Sequence, residues 1–112
     1  MAFVELHTQQ QLEDFLAASN GSPAILFKHS DSCGISARAY REMSGLTQQV
    51  GIITVQAARG LSEEIESRFH LPHETPQALI VHNNEVLWNA SHGQVRASLI
   101  EEALATVTEK HG

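Results

Sequence analysis

Apolar residues recur along the chain in two alternating rhythms. Phe3-Val4 reads as a short first strand. From Thr8 to Ala18 the period becomes helical, with Leu12, Phe15 and Leu16 on one face. Thr8 and Gln11 have the spacing of a capping box at its start. After the turn residues Asn20-Gly21-Ser22-Pro23, Ala24-Ile25-Leu26-Phe27 is an unbroken apolar run, which suits a strand buried on both faces. Ile35 to Met43 predicts a helix that begins at or near Cys33, and Gly45 and Gly51 punctuate the stretch after it. Ile52-Ile53-Thr54-Val55 is a second β-branched run. Gly60 then precedes a helix over Leu61 to Phe69, with Ser62 and two glutamates near its start, where the helix dipole favours anionic side chains. Ala78-Leu79-Ile80-Val81 and Glu85-Val86-Leu87-Trp88 flank Asn83-Asn84, a pair that tolerates the positive φ of a tight hairpin. Ser98 to Val107 closes the pattern as an amphipathic helix with Leu99, Ile100, Ala103, Leu104 and Val107 toward the core.

The predicted order is therefore β-α-β-α-β-α-β-β-α. Helices alternating with buried strands imply a mostly parallel central sheet covered on both faces, and the late hairpin adds antiparallel pairing at one side. This is the plan of an α/β, thioredoxin-like three-layer sandwich, with a central mixed sheet and helices on both faces. No repeat, low-complexity tract or long linker divides the chain, so residues 1–112 are expected to form one domain.

Composition narrows the function classes. Hydrophobic residues make up 42%, enough for a core, and charged residues only 18%, too few for a disordered chain. Seven Lys and Arg against 13 Asp and Glu leave a formal net charge of −6, with no basic cluster to neutralise phosphates, so no nucleic-acid partner is expected. No apolar run approaches the roughly 20 residues of a membrane span, and no membrane role is expected. The opening MAFVELHTQQ lacks the basic and then apolar pattern of a secretory signal. One cysteine supports no internal disulfide, which points to the reducing cytoplasm.

That cysteine carries the candidate chemistry. Lys28-His29-Ser30-Asp31-Ser32 leads from the buried strand to Cys33, and Gly34-Ile35-Ser36 continues into the helix. A lone cysteine is often a small buried hydrophobe. Here polar residues precede it directly, and such loops are seldom buried. Unpaired N–H groups at a helix start stabilise a thiolate, the form that attacks disulfides. His29 and Ser36 are candidates for tuning that thiolate, the first as a nearby imidazolium or as a cap for the strand end, the second as a hydrogen-bond donor or helix cap. The second position of interest is Thr75-Pro76, just before a strand. In this topology it faces the Cys33 loop, where Thr75 could offer backbone groups to a bound substrate, although an ordinary trans proline also suits a strand start.

Other residues are weaker candidates. Seven histidines raise the question of a metal, but none has helical i, i+4 spacing and no zinc-site pattern is present, so no metal is expected. Lys28 reads best as a surface lysine, with positive charge near the thiol as the other reading. Asp31 would oppose a thiolate if close. Arg38 and Arg41 lie one and two turns into the Cys33 helix, on a face best read as solvated, with contact to an anionic small thiol as the other reading. Trp88 reads as packing on the sheet.

The blocks Phe27-Lys28-His29-Ser30, Cys33-Gly34-Ile35-Ser36, His73-Glu74-Thr75-Pro76-Gln77 and Trp88-Asn89-Ala90-Ser91-His92, in this order and spacing, resemble the monothiol bacilliredoxins. These are bacillithiol-system redox proteins of the thioredoxin-like superfamily, and the resemblance runs from about Leu6 to Leu104. It implies removal of bacillithiol from S-bacillithiolated proteins, with Cys33 as the attacking thiol and Pro76 as a cis proline beside it. Ser32, Gly34, Ile35 and Thr75 would then contact substrate together with Pro76. The implied partners are S-bacillithiolated client proteins and a low-molecular-weight thiol, with bacillithiol as co-substrate and no bound cofactor. The chain departs from the family at Gly34, where proline is usual. A reading from a different class also stands: a non-catalytic thioredoxin-like binding or thiol-sensor protein.

Overall fold

The computed structural model describes residues 2–19 and 21–111. Asn20 of the expected turn lies outside them. The elements follow the predicted order: β1 (Ala2–Glu5), α1 (Gln9–Ala18), β2 (Ala24–His29), α2 (Gly34–Ser44), β3 (Gln49–Thr54), α3 (Arg59–Phe69), β4 (Gln77–His82), β5 (Glu85–Ser91) and α4 (Ala97–His111). A single 3-10 turn over His92–Gln94, which the apolar pattern does not announce, links β5 to α4.

The five strands form one mixed sheet in the order β1-β3-β2-β4-β5. β3 pairs in parallel with both β1 and β2. β4 lies antiparallel to β2 as well as to β5, so the sheet is half antiparallel rather than mostly parallel. A loop over residues 70–76 joins α3 to β4, which enters the sheet from the opposite end to β2. Leu12 of α1 and Leu61, Ile65 and Phe69 of α3 cover one face over Leu26, Ile53 and Leu79. Ala39 and Met43 of α2 and Ile100 of α4 cover the other over Ile25, Phe27, Ile52 and Ala78. The result is a three-layer α/β sandwich.

Local chemistry accounts for the ends. Thr8 caps α1 with the full reciprocal box: its Oγ1 accepts the Gln11 N–H at 3.1 Å, and Gln11 Oε1 accepts the Thr8 N–H at 3.2 Å. Asn83 and Asn84 both adopt positive φ, 50° and 61°, as the tight β4–β5 hairpin requires. Several boundaries differ from the pattern, β5 running on to Ser91 and α4 to His111 among them, and three more bear on the packing. β2 runs two residues beyond Phe27, because main-chain pairing continues through Lys28↔Ile53 and His29↔Thr54 although hydropathy has turned polar. α3 starts at Arg59, which places the two glutamates beyond its first turn. β3 starts at Gln49 and includes Gly51. Gly51 is not a turn: a Cβ there would meet Leu6 Cδ1 at 2.8 Å and the Phe15 ring at 2.9 Å. Only glycine lets α1 and the segment after β1 pack this closely on the sheet.

Candidate active site around Cys33

β2 delivers its carboxyl end to a short loop, and Cys33 is the N-cap residue of α2 with extended backbone, φ −116° and ψ 127°. The thiol is half-buried and free. No side chain caps this helix start. The backbone N–H groups of the first turn therefore lie at the sulfur's end of the helix without helical partners, and that end favours negative charge. Gly34 follows in open space, with nothing within 4 Å of where a Cβ would be. A proline would fit this first helical position; glycine adds one more N–H there.

The loop is held by side chains from two directions. Ser36, fully buried in α2, accepts the Ser30 N–H at 2.9 Å and lies 2.7 Å from His29 Nδ1. From the far side, Gln56 reaches in after β3. Its Nε2 donates to Ser30 Oγ at 2.8 Å and Ser32 Oγ at 3.1 Å, and its Oε1 accepts the Asp31 N–H at 3.2 Å. Val55 N–H donates to His29 O at 2.8 Å, extending the β2–β3 ladder to the root of the loop. Cys33 is thus presented by a loop whose polar groups are tied to α2 and to β3.

His29 sits in a ring cluster, 5.5 Å from Phe27 and 5.0 Å from Tyr40 between centroids. Burial holds its pKa below the ordinary imidazole value, although the carboxylates of Asp31 and Glu5 oppose this. The charged form is disfavoured, so of the two readings of His29 the imidazolium is the less favoured, and the ring lies against Ser36 Oγ at the end of β2. Lys28 corrects a second expectation. It is not a surface lysine: its side chain is fully buried on the α3 face, and its Nζ has no hydrogen-bond partner among the described residues. Burial lowers its pKa to about 8, against the pull of Glu66 and Glu74.

The Thr75–Pro76 peptide bond is cis. Lys28 pairs with Gln77, so Pro76 enters the sheet at the end where β2 runs into the Cys33 loop. Pro76 is buried and Thr75 half-buried. Two contacts fix this segment. The His92 N–H donates to Pro76 O at 2.8 Å, and His92 Nε2 lies 2.7 Å from Glu74 Oε1. Ser32, Gly34 and Ile35 are exposed around the thiol. Arg38 and Arg41 are exposed on α2, and Trp88 is half-buried against the core beneath α4.

Sequence reasoning did not foresee Gln56, the contacts of His92 or the burial of Lys28. Gln56 is one polar residue in a polar connection, and nothing local marks it; only the parallel β2–β3 pairing brings it to the loop. Among the described residues no three His, Cys, Asp or Glu side chains converge as a metal site would need, and no helix is long and apolar enough to cross a membrane.

The fold recurs in solved proteins. A thioredoxin-fold protein proposed to be an oxidoreductase superposes with a TM-score of 0.82 at 29% identity, covering 91% of this chain and 93% of its own. Thioredoxin from Trypanosoma brucei brucei matches at a TM-score of 0.77 and 11% identity, over 96% of this chain and 92% of its own. Chloroplastic thioredoxin z matches at 0.75 and 18% identity, over 97% and 96%. These two show the shared fold. Residues 4–100 match the family model described as monothiol bacilliredoxin BrxC. The chain belongs to the monothiol bacilliredoxin family, redox proteins built on the thioredoxin fold.

Proposed function

We propose that this protein is a monothiol–disulfide oxidoreductase that removes bacillithiol from S-bacillithiolated client proteins in the reducing cytoplasm. The observation that carries the reading is the placement of the chain's one cysteine, half-exposed at the N-cap of α2 in a protein of the monothiol bacilliredoxin family. Cys33 acts as the nucleophile. Its thiolate attacks the bacillithiol sulfur of the client's mixed disulfide, and the positive end of α2 supports the negative charge before attack. A new S–S bond forms to Cys33 while the old one breaks. The electron pair leaves on the client sulfur, which takes a proton from solvent. No net oxidation occurs in this exchange; the disulfide passes from client to Cys33.

Ser32, Gly34 and Ile35 would border the bound substrate, and Thr75 and Pro76 would offer the segment along which an extended client chain lies. With no second cysteine in these 112 residues, a low-molecular-weight thiol or another redoxin would attack the Cys33 adduct to complete the cycle. No bound cofactor enters the reaction. The test is turnover of a bacillithiolated client with bacillithiol present, followed by intact mass. The expected result is release of the client thiol by the wild type and none by Cys33→Ser. Release by Cys33→Ser at the wild-type rate would remove Cys33 from the mechanism.

A further inference from the structure

A groove of about 480 Å³ lies between α2 and the segment that runs from the 3-10 turn into α4, its lining beginning at Ile35, two residues after Cys33. One wall is a single face of α2, carrying Ile35, Arg38 and Glu42; the other carries His92, Arg96 and Ser98. Its volume is that of a small-molecule site. Two of its lining residues adjoin the Cys33 and Pro76 segments. Ile35, 53% exposed, is two residues from Cys33, and His92 holds the carbonyl of Pro76 through its backbone N–H.

The charge in the groove runs against that of the molecule. The chain carries a net −6, yet two of its seven Lys and Arg residues line this one cleft. Arg38 makes no hydrogen bond or ion pair among the described residues. Arg96 commits only its Nε, to Gly93 O at 3.1 Å. The one acid in the lining, Glu42, is already engaged: its Oε1 accepts the Ala97 N–H at 2.9 Å at the start of α4. The carboxylate of Glu74, just outside, is taken by His92. Two guanidinium groups thus line a cleft that holds one carboxylate, Glu42, whose Oε1 is bonded to the start of α4. Guanidinium forks match carboxylates with paired, charge-assisted hydrogen bonds. Arg38 stands five residues after Cys33, roughly 7–8 Å along the helix axis, and helical side chains lean back toward the N-terminus. That is the reach of a small thiol whose sulfur is at Cys33 and whose acidic end lies in the groove.

We propose that this groove binds the carboxylate end of the low-molecular-weight thiol, with Arg38 and Arg96 as its specificity-determining residues. The inference rests on Cys33 being the nucleophile and adds the feature that selects an acidic thiol over a neutral one. The test compares the rates at which Cys33 is thiolated by oxidised bacillithiol and by uncharged bis(2-hydroxyethyl) disulfide. The wild type should prefer the acidic disulfide, and added salt should weaken that preference. The preference should fall by about tenfold in Arg38→Gln/Arg96→Gln, the loss of roughly one charge-assisted contact, and survive largely in Arg38→Lys/Arg96→Lys. An unchanged ratio of the two rates in the glutamine variant overturns the proposal. A second arm uses Cys33→Ser, titrated with reduced bacillithiol and followed by amide chemical shifts. Shifts clustered at Arg38 and Arg96 to Leu99, lost with both arginines replaced, support the groove; absent or scattered shifts overturn it. If wild-type Cys33 reacts with neither disulfide, the nucleophile reading fails, and the titration still decides the groove by itself.

Discussion

Lys28 and Gly51 show what single positions contribute. A lysine enclosed on the α3 face with no partner for its Nζ among the described residues is a cost to the fold in its charged form. Its folded pKa of about 8 lies below the unfolded 10.5, so between these values the unfolded chain binds the extra proton. The penalty is therefore complete below pH 8 and is relieved as pH rises toward 10.5. Lys28→Met should stabilise the protein at pH 7 by up to about 3 kcal/mol, with the advantage shrinking from about pH 8 and mostly gone by about pH 10. Urea unfolding of both proteins at the two pH values measures it, and a gain that does not change with pH would show that the buried charge is not its cause. Gly51 acts through space. A methyl group there would lie 2.8 Å from Leu6 and 2.9 Å from Phe15. Gly51→Ala should cost about 1–3 kcal/mol of overpacking, read as a lowered Tm with the fold retained by circular dichroism.

At the scale of elements, the start of α2 and the end of β2 work as one unit. Ser36 Oγ serves both the Ser30 N–H and His29 Nδ1, and all three residues are buried. Ser36→Ala leaves two buried polar groups unpaired and should destabilise by about 1–3 kcal/mol. Because the same hydroxyl fixes the loop before Cys33, its loss should also speed amide hydrogen exchange at Ser30 to Ser32. Lost stability without faster exchange in that loop would confine Ser36 to a packing role. The 3-10 turn is the corresponding device on the other side. It turns the chain from β5 into α4 and places His92 on Pro76 O and Glu74.

For the molecule as a whole, the decisive number is one cysteine in 112 residues. A redoxin with a single thiol has no internal partner to release what it captures. Cys33 carrying bacillithiol should therefore persist in isolation and revert only when a reduced small thiol is added. Intact mass over time checks this; reversion in buffer alone, at the rate seen with added thiol, would contradict the one-thiol cycle. The mixed sheet makes this arrangement possible. β2 lies at its centre, so its carboxyl end projects the Cys33 loop beside the antiparallel strand that Pro76 opens.

Much of this protein is written locally. Apolar periods located every strand and α-helix, because burial on one stripe or on both faces leaves a repeat that needs no partner to be read. The Thr8 box, the Asn83-Asn84 hairpin and the helix start at Cys33 are likewise short-range chemistry. What tertiary structure decided is where polar residues went. Lys28 and His29 extend a strand that hydropathy ends at Phe27, since main-chain pairing does not depend on side-chain polarity. Gly51 serves close packing that is visible only once Leu6 and Phe15 are in place. Gln56, Arg38, His92 and Arg96 come near the thiol's surroundings from three separate stretches of chain. No local pattern encodes such a meeting; the pairing of strands and the packing of helices bring it about.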